Sequence, residues 1–202
     1  ESTGAHHRIA LSVVNLVGGH KPRRLVLGFM IAGALLSMWI SNTASILMLM
    51  PVALAVLASC SDRDSLAAPL LLGLAWSCSI GGLGTPIGTP PNLILVQVYE
   101  ENTALTISFA QWMSWGMPVV LTLLPLAWWW VTRAVPRELD IQVPAVGPWR
   151  SAERRVLVVF GLTAVAWITR AEPFGGWQTW LGLPAANDAS VALLAVIALF
   201  VV

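Results

Sequence analysis

Three consecutive polar residues, Ser41, Asn42 and Thr43, interrupt an apolar stretch that carries no charged side chain from Leu25 to Ser61. A hydroxyl, an amide and a second hydroxyl between two helical segments can bind ions. The first helix would end in carbonyl groups, which suit a cation, and the second would begin with free N–H groups. Those N–H groups lie at the positive end of the helix dipole and suit an anion. We therefore predict an ion-binding position at this interruption.

A second interruption follows at residues 81–92, where the sequence reads GGLGTPIGTPPN. The glycines at 82, 84 and 88 leave backbone carbonyls accessible, and Pro90 with Pro91 preset the start of the next helix. Short, interrupted apolar segments are the best sequence indicator of a transporter binding site. A single Ser or Gly more often only packs helices together. Two such interruptions in one chain favour a functional site over packing alone.

Charge is scarce in this chain. Charged residues make up 10% of the 202 positions and hydrophobic residues 57%, whereas a soluble domain carries about 25% charged residues. Residues 25–61, 65–99 and 102–132 contain none, which predicts an all-α protein in a lipid bilayer. A bound ion there must be balanced by helix ends and co-bound ions, and this predicts an anion site neutralised by sodium. The net charge of +1 argues against a nucleic-acid partner.

The interruptions divide the apolar stretches into a predicted order of elements. Residues 25–60 are too long for one crossing and too short for two with a loop, so we predict a re-entrant hairpin with legs at about 25–40 and 43–58. Residues 66–99 form a broken helix, and residues 111–132 a crossing. The basic turn before Leu25 and the arginine-rich linker at 133–153 then lie on the cytoplasmic side.

The remaining segments are shorter. Residues 5–18 are predicted to form an interfacial helix within the segment 1–24. Residues 154–170 cross outward, and Asp188 begins a further crossing. The last apolar run is too short to span a bilayer, so we expect sequence beyond Val202 in a longer parent protein. Arg170 and Glu172 are predicted to be solvated loop charges.

This sequence lacks the residues that a nucleotide-binding protein or a membrane-embedded enzyme would need. The third glycine of the pattern Gly82-Leu83-Gly84 comes one residue too late for a dinucleotide loop, and the single lysine, Lys21, is not beside a glycine loop. An enzyme embedded in the membrane would need a nucleophile–base pair, and none is apparent in the apolar stretches. We therefore predict no enzymatic activity, no organic cofactor and no nucleotide site.

The two interruptions resemble the signatures of the divalent-anion/sodium symporter family, which transports dicarboxylates, citrate or sulfate. The matching segments read MWISNTASILMLMPVALAVL and SIGGLGTPIGTPPN. The resemblance implies a polytopic, multi-pass protein of the cell membrane, of which this chain is the amino-terminal half. It implies one inverted repeat of an elevator-type transporter that works as a homodimer. Residues 25–132 would belong to the transport domain, 154–202 to the scaffold, and 5–18 to an arm between them.

The resemblance also implies roles for individual residues. A first sodium ion would be held by Ser37, Ser41, Asn42 and the carbonyl of Gly88, with Gly84 as a weaker candidate ligand. Ser41, Asn42 and Thr43 would touch a carboxylate of the substrate, with Thr89 and Pro90 nearby. A second motif of the same kind is expected in the other half of the protein, so this chain alone should not transport.

Three readings stay open from the sequence. The most favoured is sodium-coupled symport of a divalent anion, most plausibly a C4-dicarboxylate such as succinate or malate. A sodium-independent exchanger of the same family would carry the same motifs, and a related permease for arsenite or another anion is a further alternative. The sequence does not choose between dicarboxylate, citrate and sulfate, and it does not fix the number of coupled sodium ions.

Overall fold

The computed structural model describes residues 5–17, 21–136, 139, 150–171, 175–183 and 185–201. Within these ranges the chain is helical and contains no strand. The helices are α1 (Ala5–Val17), α2 (Pro22–Ser37), α3 (Asn42–Ala58), α4 (Arg63–Gly81), α5 (Pro90–Thr103), α6 (Phe109–Thr132), α7 (Ser151–Ile168), α8 (Gly176–Trp180) and α9 (Asp188–Val201), with a 3-10 turn at Gly82–Gly84 after α4.

Most helix boundaries follow local sequence signals. Pro22 occupies the first turn of α2, and Pro90 and Pro91 occupy the first turn of α5, where a missing N–H group costs nothing. The α4 helix begins at Arg63 because Asp62 caps it, the carboxylate accepting a hydrogen bond from the amide of Ser65 at 3.3 Å. The predicted linker 133–153 lies largely outside the described residues, and α7 begins at Ser151.

Two described helices are long and apolar enough to cross a bilayer by length and composition. The first is α4 together with the 3-10 turn that follows it, Arg63–Gly84, with 22 residues. The second is α6, Phe109–Thr132, with 24 residues. Shorter apolar helices cover Asn42–Ala58 and Asp188–Phe200. A helix rises 1.5 Å per residue, so a full crossing takes roughly 20 residues. The two shorter helices have fewer residues than that.

The chain divides into two compact units. The larger unit comprises His6–Thr106 and Met113–Val146. Its core is the α2–α4 pair covered by α3, and it contains fully buried side chains from all three helices. These include Phe29 and Met30 of α2, Leu49 of α3 and Leu74 of α4.

Helices α2 and α4 run in the same direction and touch through their backbones. A Cβ atom added to Gly73 would lie 3.1 Å from the Met30 sulfur, and one added to Gly33 would lie 2.8 Å from Ser77 Oγ. Near the ends of both helices, a Cβ on Gly81 would lie 2.5 Å from the Cα atom of Ala34. Glycine is required at position 81 because any side chain there would overlap the neighbouring backbone.

The beginning of α2 is fastened to the end of α6 within the same unit. Arg23 donates to the carbonyls of Arg133 at 3.2 Å and Val135 at 3.3 Å, and its own carbonyl accepts a hydrogen bond from Trp128 Nε1 at 2.8 Å. The Arg133 guanidinium stacks over the Trp130 ring at 3.8 Å, a cation–π contact.

The smaller unit comprises Glu1–Ala5, Ile107–Trp112 and Gly147–Val202. Helices α7 and α9 pack together in it, and Phe109 stacks on Trp167 with ring centroids 5.7 Å apart. The prediction that Arg170 is a solvated loop charge is wrong. Its guanidinium donates to Asp188 at 2.7 Å and to Gln178 at 2.9 Å, and its side chain is only 17% exposed. Glu172 lies outside the described residues.

Candidate ion and substrate site at two helix breaks

The first break in the larger unit is the hairpin tip, residues 38–43. The α2 helix ends at Ser37, a turn follows, and α3 begins at Asn42 with Ser41 as its N-cap. Ser41 Oγ accepts a hydrogen bond from the amide of Ala44 at 3.2 Å. A serine hydroxyl stabilises a helix start in this way because the first amides have no partner within the helix. The polar residues at the tip therefore position the helix start as well as offering oxygen atoms.

One hydrogen bond joins the two sides of the hairpin tip. Ser37 Oγ, on the last turn of α2, donates to Asn42 Oδ1, on the first turn of α3, at 2.5 Å. Ser37 is fully buried and Asn42 is half-buried. Two neutral oxygen atoms are thereby held at the junction of a helix C-terminus and a helix N-terminus.

The second break is the glycine loop, residues 82–92, which comprises the 3-10 turn after α4, the segment that follows it and the first residues of α5. Asn92 Nδ2 donates to the carbonyls of Gly82 at 2.8 Å and Thr85 at 2.9 Å. The Thr85 hydroxyl donates to the carbonyl of Met38 at the hairpin tip. Thr85 is fully buried and Asn92 is 5% exposed. These hydrogen bonds fix the loop internally and attach it to the C-terminal end of α2.

The two breaks meet at Gly82. A Cβ atom added to Gly82 would lie 2.5 Å from Asn42 Oδ1, so the Asn42 amide rests directly on the backbone of the glycine loop. On the other side, a Cβ atom added to Gly88 would lie 2.5 Å from the Gly82 carbonyl oxygen. The Asn42 amide, Gly82 and Gly88 are therefore packed closely together, with no room for a side chain at either glycine.

The electrostatics of this region come from dipoles rather than charges. The C-terminal ends of α2 and α4 and the N-terminal ends of α3 and α5 belong to the two breaks, and they contribute partial negative and positive charge respectively. Residues 25–61 and 65–99 carry no charged side chain. Among the described residues, no group of three or more His, Cys, Asp or Glu could hold a metal ion. The oxygen donors present are hydroxyl, amide and carbonyl groups, which suit a hard monovalent cation.

The structure places the predicted site residues in two groups. It brings Ser37, Asn42 and Gly88 together around Gly82. Thr89 is half-buried and precedes the first residue of α5. Ser41, Thr43 and Pro90 are exposed. Gly84 is buried against the side chain of Met38.

Two residues that hold the glycine loop together, and one buried hydroxyl of α3, were not singled out from the sequence. Thr85 and Asn92 carry the hydrogen bonds of the glycine loop. Asn92 had a local signal, since it is a polar residue in the first turn of a helix opened by two prolines. Ser45 is fully buried in α3, and its hydroxyl has no hydrogen-bond partner in the described part of the chain.

Comparison with known proteins agrees with the sequence interpretation. The profile of the citrate transporter family matches residues 1–201. The sodium-dependent dicarboxylate transporter SdcS of Staphylococcus aureus strain USA300 is 30% identical over 223 aligned positions, and those of strains bovine RF122 / ET3-1 and MSSA476 are 31% identical. Each alignment covers all of this chain and 42% of the relative.

These matches confirm the predicted resemblance to the divalent-anion/sodium symporter family, and both the family and the relatives are described as transporters rather than enzymes. Because the family profile extends over nearly the whole sequence, the chain belongs to the citrate transporter family.

Proposed function

We propose that this chain is part of a sodium-coupled symporter for a divalent anion, most plausibly a C4-dicarboxylate such as succinate or malate. The contact between Asn42 and the glycine loop at Gly82 carries the proposal. It joins two interrupted helices in a region without charged side chains, which is the arrangement that a cation-neutralised anion site requires. The SdcS relatives, described as sodium-dependent dicarboxylate transporters, support the choice of ion and substrate.

The proposed sodium site consists of Ser37, Ser41, Asn42 and the Gly88 carbonyl, with Gly84 as a weaker candidate. Sodium is the coupling ion here, and no organic cofactor is required. Ser37 Oγ donates a hydrogen bond to Asn42 Oδ1 at an oxygen–oxygen distance of 2.5 Å. The hydroxyl oxygen and the amide oxygen each keep a lone pair outside this hydrogen bond. Both oxygens can therefore face a cation at the junction of the two helices.

The proposed substrate site uses the other side of the same residues. Ser41, Asn42 and Thr43 would contact one carboxylate, with Thr89 and Pro90 nearby. The N-terminal ends of α3 and α5 would favour its negative charge. Asn42 has an oxygen that can face sodium and an NH₂ group that can face a carboxylate. One side chain therefore belongs to both sites, which is a direct physical route to coupling.

At the level of the whole protein we propose an elevator mechanism in a multi-pass homodimer of the cell membrane. In that arrangement residues 25–132 belong to the moving transport domain, 154–202 to the scaffold, and 5–18 to the connecting arm. The chain spans 42% of the length of the relatives, so a second set of ligands from a longer protein would complete the site.

The test is uptake of labelled succinate into liposomes that contain the full-length protein bearing this sequence. We expect uptake to depend on an inward sodium gradient. Uptake that ignores sodium but needs internal dicarboxylate would identify an exchanger instead. If succinate does not enter under either condition, citrate and sulfate are tested next, and uptake of neither would contradict the proposed function.

A further inference from the structure

Two buried hydroxyls in the described helices bond to a carbonyl about one turn earlier. Ser77 Oγ donates to Leu74 O at 2.9 Å, and Thr132 Oγ1 donates to Trp128 O at 2.7 Å. Such bonds remove the cost of placing a hydroxyl away from water. They leave the hydroxyl proton engaged within its own helix.

Ser45 departs from this pattern. Its side chain is 0% exposed, and its Oγ atom has no hydrogen-bond partner among the residues that the structure describes. Its amide bonds normally to the carbonyl of Ser41 at 3.0 Å, so the helix itself is regular at this point. An unpaired buried hydroxyl is destabilising, and in a native protein it calls for an explanation.

The position of Ser45 relates it to the site. Ser45 follows Asn42 by three residues and Ser41 by four, so all three lie on one side of α3. A helical side chain also leans toward the N-terminus of its helix. The Ser45 hydroxyl therefore leans toward the turn that carries Asn42, whose Oδ1 atom is bonded to Ser37.

We propose that the Ser45 hydroxyl is a further ligand of the cation at the hairpin tip. The proposal rests on the sodium site described under the proposed function and adds a deeper oxygen to it. A hydroxyl offers lone pairs to a hard cation without carrying charge, and no charged side chain lies between residues 25 and 61 to take that role. A buried water would need two to four polar partners of its own, whereas a cation shared with Ser37 and Asn42 satisfies all three groups together.

The test measures sodium binding without transport. The full-length protein in detergent, without substrate, is titrated with sodium at constant ionic strength, with choline as the replacement cation. The rise in melting temperature gives the half-saturating sodium concentration. For Ser45→Ala we expect that concentration to rise by about tenfold, the lower end of the effect of disturbing a metal site. Ser45→Cys preserves the side-chain size but is a poor ligand for a hard cation, so it should behave like Ala.

Ser77→Ala is the matched control, because Ser77 is equally buried but bonded within its own helix. It should titrate like the unmodified protein. If Ser45→Ala also titrates like the unmodified protein, while Asn42→Ala loses the sodium response, the sodium site stands and the role of Ser45 is refuted. If Cys restores normal sodium affinity, Ser45 acts through packing and the proposal fails. No sodium response in the unmodified protein would contradict both the site and its extension.

Discussion

The hairpin tip and the glycine loop are both helix breaks, but they use their polar groups in opposite ways. At the tip, Ser41 and Thr43 are exposed, and Asn42 is half-buried. In the loop, Thr85 and Asn92 are buried and their side chains are committed to carbonyl groups. The loop is therefore a support that holds peptide groups in place, while the tip presents groups that a ligand can reach.

This difference predicts two kinds of variant. Changes at the tip should remove ion or substrate binding and leave the fold intact. Changes to the buried Thr85 and Asn92 side chains of the loop should destabilise the fold, and function should fall as a consequence. The following predictions test this division, beginning with the largest expected effect.

Asn42→Ala should reduce sodium-dependent succinate uptake to the background of empty liposomes. The substitution removes the side chain that links the two breaks and that both proposed sites share. Melting temperature and size-exclusion profile should stay close to those of the unmodified protein, because Asn42 is only half-buried. Normal uptake by this variant would remove the assignment of the site to the hairpin tip.

Gly82→Ala should raise the half-saturating sodium concentration by about tenfold. The backbone at Gly82 has φ −56° and ψ −20°, which alanine adopts freely, but the new Cβ would lie 2.5 Å from Asn42 Oδ1. The flexible amide must move away, so the ligand is displaced while the fold is retained. Gly161→Ala in α7 is the control, since its added Cβ would meet no described atom within 4 Å outside the neighbouring backbone of α7. An unchanged sodium titration for Gly82→Ala would show that the position of Asn42 does not matter.

Asn92→Ala should lower the thermal stability of the protein more than it changes the sodium affinity. It leaves the carbonyls of Gly82 and Thr85 without their side-chain donor in a buried position, at a cost of about 2–4 kcal/mol for two lost hydrogen bonds. The measurement is the melting temperature of the purified protein in detergent. Asn102→Ala is the control, because Asn102 is exposed and its side chain donates to the Val98 carbonyl on its own helix. A variant at 92 that melts like the control would contradict the supporting role of the loop.

Asp62→Ala should have the smallest effect, and the effect should depend on pH. Hydrogen bonds from the Ser65 side chain and backbone lower the pKa of Asp62 below its ordinary value. A carboxylate whose pKa is lowered by folding stabilises the fold above its unfolded pKa, near 3.9, and loses that contribution as pH falls through the folded value. The difference in melting temperature between the variant and the unmodified protein should therefore be present at pH 7 and shrink below about pH 4. A difference that is constant with pH would mean that the charge of Asp62 is irrelevant.

Local signals in the sequence were sufficient to predict both breaks. The hydroxyl of Ser41 before an apolar run is a helix start, and Pro90 with Pro91 is another. The helices on either side of each break begin and end within a few residues of the expected positions. The resemblance of the two motifs to a transporter family was also visible in the sequence, and the family comparison confirmed it.

The contacts that hold the breaks together could not be predicted from the sequence. Thr85 bonds to a carbonyl 47 residues earlier, and Asn92 bonds to carbonyls in a loop whose path depends on the packing of α4 against α2. Arg170 looked like a loop charge because its partner, Asp188, is 18 residues away. Pairings of this kind depend on tertiary geometry, which hydrophobic periodicity and helix-capping rules do not describe.

The contact of Gly81 with the backbone of Ala34 determines which parts of the site are stiff. Two backbones already in van der Waals contact cannot move closer, and pulling them apart would open a void between α2 and α4. We therefore expect these two helices to act as a stiff rear wall behind both breaks. If sodium binds as proposed, the movement that admits or releases it should therefore occur in the first turns of α3 and α5, where Thr43 and Pro90 are exposed.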